Sequence, residues 1–237
     1  MKLIPKRYLI IVSIFVIGIF LTVAAYSTLR FHEKNKTPVS ADSAKSEPIV
    51  RSPQEMLKEL SRNSPQLGSP NAPIQVVEFA DFQCPYCEQF YATAFNQIND
   101  KYVKTGKVKF IFADAPIIGE ESTIAARGGK CADEQGKFWD YYNYLFQHQK
   151  PENNGNLRTS NLKKIALQIG LDGEQFDACL DSQKYASEVS DELKLFGVLG
   201  ITGTPGFVIN DQVVSGYKAG VIQGIIDKEL KSIDPNP

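Results

Sequence analysis

The chain has 237 residues, 43% of them hydrophobic and 22% charged, with a formal net charge of -1. This is a globular balance, and it lacks the basic excess that a nucleic-acid binder needs, so no nucleic-acid partner is expected. Four cysteines, Cys84, Cys87, Cys131 and Cys179, in a chain this long exclude a mini-protein stapled by disulfides alone.

A basic amino terminus, residues 1–7, leads into 8-YLIIVSIFVIGIFLTVAAYSTL-29, which carries no charged side chain. As a helix this run would be roughly 33 Å long, enough to cross a bilayer core. Val23, Ala24 and Ala25 offer small residues to a signal peptidase, but the apolar part of a signal peptide runs only about 7–15 residues. The length favours an uncleaved transmembrane anchor over 8–29. Lys2, Lys6 and Arg7 balance Arg30, Lys34 and Lys36 across it, so flanking charge does not orient it. Residues 30–67 read as a flexible tether: Pro38, Pro48, Pro53 and Pro65 interrupt them, and few large apolar groups repay ordering the backbone. One short amphipathic helix around 54–62 is the exception, with Met56, Leu57 and Leu60 on one side.

The character changes at about residue 68. The run 74-IQVVEFA-80 is branched, aromatic and nearly continuous in hydrophobicity, as in a strand buried on both faces. A helix follows over 88–106, with Phe90, Ala94, Phe95, Ile98 and Tyr102 at helical spacing and Gly106 as its stop. The segment 107-KVKFIFAD-114 is a second strand, and strand–helix–strand implies a parallel pair joined by a right-handed crossover. Residues 121–149 form a long helical region, broken at most by Gly128-Gly129 and Gly136. Ser160 can cap a helix over 161–170, and Val189, Leu193 and Phe196 mark another within 183–200. A hairpin around Asn210-Asp211 and a last helix from Tyr217 to Ile233 complete the chain.

Between the first strand and its helix lies 84-CPYC-87. A redox couple needs an attacking thiol that is exposed, partly ionised and close to a partner that can close a ring. Cys84 at a helix start meets free backbone N–H groups and the positive end of the helix dipole, which favour thiolate. Cys87, one turn on, lies deeper and can resolve a mixed disulfide on Cys84. Pro85 suits the first helical turn, where its missing N–H would have had no partner. Zinc would want two further Cys or His at short spacing, and neither His32 nor His148 stands in such a pair, so no metal site is expected. Copper(I) held by the two thiolates alone stays open as a different class of function. Far along the chain, Thr204-Pro205 directly precedes a strand. A cis bond there would set the Thr204 backbone beside the Cys84 sulfur, able to pair with an extended substrate; a trans proline opening an edge strand is the plainer reading.

The combination of 68-GSPNAPIQVVEFADFQCPYC-87, Phe138-Trp139 and 202-TGTP-205 resembles the DsbA-like thiol–disulfide oxidoreductases. The resemblance covers about residues 66–233. It implies a thioredoxin-like α/β fold with an inserted α-helical domain: 68–114 as the first part, 115–200 as the insert and 201–235 as the second part, preceded by one transmembrane helix. It implies Cys84 as nucleophile, Cys87 as resolving thiol, and Thr204-Pro205 as a substrate-binding cis-proline loop. Glu78 stands where the family often carries a buried acid, and a carboxyl with a raised pKa could exchange the proton of Cys87. Cys131 and Cys179 resemble the family's extra pair, which would close a structural disulfide across the insert; two separate buried thiols are the competing reading.

One departure matters. Pro85-Tyr86 replaces the Pro-His of the best-known members, and Tyr86 supplies no cation beside Cys84, so a very low thiol pKa does not carry over. The expected function is an extracytoplasmic, membrane-anchored enzyme that introduces disulfides into reduced or unfolded proteins, without a cofactor, reoxidised by a quinone-linked membrane oxidase. Thr204 and the apolar surface near Phe82 and Tyr86 would hold the unfolded substrate. Dithiol oxidation is useful outside the cytosol, which orients the anchor. A reductase or isomerase of the same fold, and a non-catalytic copper carrier, are the alternatives.

Overall fold

The computed structural model describes residues 52–233. The transmembrane anchor expected over 8–29 and most of the tether lie outside the described residues. Among the described residues no helix is long and apolar enough to cross a membrane.

The folded domain starts earlier than residue 68. Helix α1 (Pro53–Asn63) opens with a capping box, in which the Ser52 side chain accepts from the Glu55 amide while the Glu55 carboxylate takes the Ser52 amide. Leu60 is buried against the sheet, with Met56 and Leu57 beside it. Strand β1 (Gln66–Leu67) then pairs antiparallel with the sheet. Residues 52–67 therefore belong to the folded domain, because the apolar stripe of α1 finds a partner that composition alone does not reveal.

The sheet has five strands in the order β1-β3-β2-β4-β5. Strands β2 (Ile74–Ala80) and β3 (Val108–Asp114) run parallel, joined by the helical segment that begins at α2 (Pro85–Phe90) and continues through Tyr91–Phe95, Asn96–Ile98 and Asn99–Val103. Strands β4 (Gly206–Ile209) and β5 (Gln212–Ser215) complete the sheet as an antiparallel hairpin on the other side of β2. Asn210 at its turn has φ 49°, a left-handed conformation that Asn tolerates better than most residues.

Side chains alternate across the central strands. Val77, Phe79, Ile111 and Ala113 face α1 and α7 (Ala186–Val198), where Leu195 and Phe196 meet them. Val76, Ala80, Phe110 and Phe112 face α2, α4 (Phe138–Gln147) and the closing helix α8 (Val221–Ile233). Between β3 and β4 lie α3 (Glu120–Asp133), α4, α5 (Thr159–Gln168), α6 (Gly173–Ser182) and α7. This is a thioredoxin-like sheet with a helical insertion.

Two details of the insertion depart from expectation. The region 121–149 is two helices, parted at Gly136, whose φ of 66° suits glycine. Gly128 stays inside α3 because the helices touch there: a Cβ would lie 2.5 Å from Tyr141 Oη. Ser160 does not cap α5. The helix begins one residue earlier, at Thr159, with Arg158 before it and no side-chain cap.

Candidate active site

Where β2 ends, the chain turns through Asp81, Phe82 and Gln83 into α2. Asp81 shapes that turn: Oδ1 accepts from the Gln83 amide at 2.8 Å, Oδ2 from the Ile118 amide at 3.0 Å, and its carbonyl from the Cys84 amide at 3.0 Å. Gln83 ties the turn to the insertion, donating to Ser122 Oγ at 2.8 Å and accepting from the Asn153 amide at 2.6 Å. Gln149 donates to the carbonyls of Phe82 and Cys84 at 3.0 and 3.1 Å. The loop that carries the first cysteine is thus held from three sides.

Cys84 is the N-cap of α2 and Pro85 its first residue, so the thiol meets the unpaired amides of the first turn. A hydrogen bond from Cys87 is the largest influence on it. Burial opposes ionisation, while the Thr204 side chain and the amides of Cys87 and Tyr86 favour it, and together they pull the pKa down to about 6. When protonated, Cys84 Sγ donates to the Thr204 carbonyl at 3.2 Å. The Thr204-Pro205 peptide is cis. Cys84 is less open than a freely exposed thiol, at 5% of its full area, because that carbonyl covers one side.

Cys87 differs in every respect. It is fully buried, and burial raises its pKa well above the usual thiol value, helped by its hydrogen bond to Cys84 and by the charges of Cys84 and Glu78. The structure therefore holds one acidic thiol beside one that resists ionisation. Glu78, on β2, is also wholly buried, and burial lifts its pKa to about 8 against the pull of a hydrogen bond from Tyr142. Tyr142 Oη donates to Glu78 Oε2 at 3.1 Å, and Oε1 has no hydrogen-bond partner.

A thioredoxin family profile matches residues 60–228. A probable disulfide bond formation protein D of Bacillus cereus is 31% identical over 169 residues, covering 70% of this chain and 78% of its own. The chain belongs to the DsbA-like thiol–disulfide oxidoreductases. Solved structures agree: oxidised BdbD of Bacillus subtilis superposes with a TM-score of 0.67 at 30% identity, over 72% of this chain and 94% of that one. Wolbachia pipientis alpha-DsbA1 gives 0.65 at 29% identity, over 74% and 95%.

The surface of this DsbA-like oxidoreductase is not quite the one that the sequence suggests. Tyr86 is 61% exposed beside Cys84, but Phe82, expected to offer apolar surface with it, is buried. Its ring stacks on Phe112 at 5.4 Å, lies tilted against Phe146 at 5.3 Å and meets Tyr141 edge-on at 5.6 Å. Cys131 on α3 and Cys179 on α6 are joined in a disulfide. His148 is exposed and stacks on Tyr144. Among the described residues no group of three or more His, Cys, Asp or Glu side chains is placed to hold a metal ion.

Three groups carry no signal of their own in the sequence. Tyr142 is one ring in an aromatic-rich helix, and Gln149 is one of two glutamines at its end. Lys130 reads as a solvated charge on α3, yet it is 3% exposed and bonds Glu192, with Glu188 at 3.0 Å and Asp114 at 3.8 Å. Burial alone would lower its pKa; the three carboxylates outweigh that and hold it above the ordinary lysine value. The Glu192 carboxylate also takes the Asp114 amide and the Ser64 hydroxyl, tying α7 to the end of β3 and to the residue after α1.

Proposed function

We propose that this oxidoreductase introduces disulfides into reduced proteins outside the cytoplasm, through the Cys84-Pro85-Tyr86-Cys87 couple and tethered by its amino-terminal apolar segment. The observation that carries this reading is the asymmetry of the two thiols, with the Cys84 pKa near 6 and that of Cys87 held far higher. Leaving-group acidity alone would direct the first attack to Cys87, but Cys87 is wholly buried, so the incoming thiolate meets the disulfide at Cys84. Cys84, at 5% of its full area, is the less buried of the two sulfurs and is a good leaving group at neutral pH when the mixed disulfide is resolved.

In the oxidised enzyme, a substrate thiolate attacks Cys84 Sγ, and the Cys84–Cys87 bond breaks. Cys87 departs as a thiolate that its buried surroundings do not tolerate. Glu78, still protonated at neutral pH with a pKa near 8, supplies the proton. A second substrate thiolate then attacks the substrate sulfur of the mixed disulfide, and Cys84 leaves as thiolate. The substrate dithiol has lost two electrons and the enzyme couple has gained them. The exposed Tyr86 and the Thr204 backbone would hold the reduced segment during both attacks. A membrane oxidase that passes electrons to a quinone would reoxidise the couple.

Whatever stabilises the Cys84 thiolate stabilises the reduced couple and makes its disulfide a stronger oxidant. The reduction potential of the full chain in glutathione buffers tests the direction. A value near about -120 mV supports a disulfide donor, and one near about -270 mV would reassign the enzyme as a reductase.

A further inference from the structure

The acid–thiol pair leaves one group unexplained. Glu78 projects from β2 into the side of the core shared with α2, α4 and α8. Its cross-strand neighbours are Phe112 on β3 and Phe207 on β4, and α8 brings Ile222 and Ile226 into that core, with Ile225 and Leu230 packed at its margin. The titratable groups that act on it are Cys84 and Cys87 from α2 and Tyr142 from α4, with Tyr91 of the π-helical turn behind Tyr142. Within this apolar box Tyr142 is the one side chain that hydrogen-bonds the carboxyl among the described residues.

The Tyr142 ring cannot drift. Phe82, Phe112, Trp139, Tyr91 and Phe146 surround it, with ring centroids 4.8 to 6.4 Å away and mostly edge to face. Its hydroxyl has one proton to give. Oε2, occupied as an acceptor, is then the carbonyl-like oxygen of the neutral acid, and the acid proton belongs on Oε1, which is buried without a partner.

We propose that Tyr142 is the positioning residue for proton transfer between Glu78 and Cys87: by donating to Oε2 it leaves Oε1 as the oxygen that carries the exchangeable proton. In the oxidising direction that proton passes to the departing Cys87 thiolate. In the reverse direction ionised Glu78 takes the proton of Cys87 as its sulfur attacks Cys84, the Cys84–Cys87 bond forms, and the bound thiol leaves. The same hydroxyl bond favours the ionised carboxylate, so it also sets the pH at which Glu78 changes role. The inference rests on the reading of Glu78 as the proton partner of Cys87.

The experiment follows release of glutathione from the Cys84–glutathione mixed disulfide of the full chain as pH is varied, which isolates attack by Cys87. In the unmodified protein the rate should rise through a midpoint near pH 8, where Glu78 ionises. Tyr142→Phe keeps the ring and loses the hydroxyl; its midpoint should move up by about one pH unit, a roughly tenfold loss of rate at pH 7. Glu78→Gln should abolish the midpoint, and adding Tyr142→Phe to it should change nothing more. If Glu78→Gln abolishes the midpoint but Tyr142→Phe leaves it in place, the role of Tyr142 is refuted and that of Glu78 stands. If Glu78→Gln keeps the midpoint, both fall. A second measurement needs no variant at Tyr142. With the ten tyrosines labelled at Cζ, one resonance should titrate with the Glu78 midpoint and stop doing so in Glu78→Gln; no such resonance would overturn the proposal.

Discussion

Cys84 and Cys87 stand one helical turn apart, and the hydrogen bond between them pushes their acidities in opposite directions. As donor, Cys87 stabilises the Cys84 thiolate and in doing so holds its own proton more firmly. Each thiol's chemistry depends on the other's.

Alkylation of the reduced enzyme by iodoacetamide should therefore label Cys84 with a rate that rises through about pH 6, and leave Cys87 unlabelled. Cys87→Ala removes the donor and should raise the midpoint by about one pH unit or more; Cys87→Ser keeps a donor and should move it less. Peptide mass spectrometry reads both. Comparable labelling of the two thiols at neutral pH would contradict the asymmetry. The sign for stability follows from the depressed pKa. Ionised Cys84 favours the folded reduced protein above about pH 9, its value in an ordinary environment, and that gain fades as pH falls towards 6.

Glu78 has the opposite linkage. Its pKa rises from 4.5 in an ordinary environment to about 8 when folded, so the folded state binds the extra proton between those values and loses stability as pH climbs through them. Glu78→Gln, which keeps the acceptor for Tyr142, should stabilise the protein by about 3 kcal/mol at pH 7. Below about pH 4.5 the gain should disappear. Urea unfolding at pH 4 and pH 7 checks this, and an equal gain at both would show that the carboxyl does not titrate as described.

Lys130 holds three carboxylates at the junction of α3, α7 and β3. Lys130→Met leaves Asp114 and Glu192 buried without a counter-charge and should cost about 3–5 kcal/mol. The loss should shrink as pH falls and the carboxylates take up protons. A shift in the urea midpoint with an unchanged slope is the expected signature.

The disulfide between Cys131 and Cys179 spans 48 residues of sequence. A closed loop of that size stabilises by about 4 kcal/mol through the unfolded chain. Replacing both cysteines by alanine should lower stability by that order and leave the pH midpoint of Cys84 alkylation where it was. Without reductant, neither Cys131 nor Cys179 should take up label in intact-mass analysis.

The central α/β pattern was legible because each piece depends on local order: apolar continuity for β2 and β3, helical spacing for the segment that runs from α2 to Val103, a proline and an Asn-Asp turn around β4. Glu78 could be singled out only through the family resemblance, which places a buried acid at that position. What depends on tertiary company was not visible. Phe82 lies in a turn, where an aromatic ring suggests surface, but α4 closes over it. The partners of Lys130 come from positions 114, 188 and 192, and nothing in Gly129-Lys130-Cys131 announces them. The start of the domain was misplaced for the same reason: the stripe on α1 is short, and only the underside of the sheet, with Phe79 and Ile111, gives it a place to bind.

Trp139 is the chain's single tryptophan, half-buried at the start of α4 with its indole donating to the Gln66 carbonyl. Its ring lies 5.2 Å from that of Tyr142, whose hydroxyl touches the carboxyl that senses both thiols. The protein thus carries a built-in optical probe one aromatic ring away from its redox centre. Emission should differ between the dithiol and disulfide forms, so turnover can be watched in the untouched enzyme without a dye, a coupled assay or a labelled substrate.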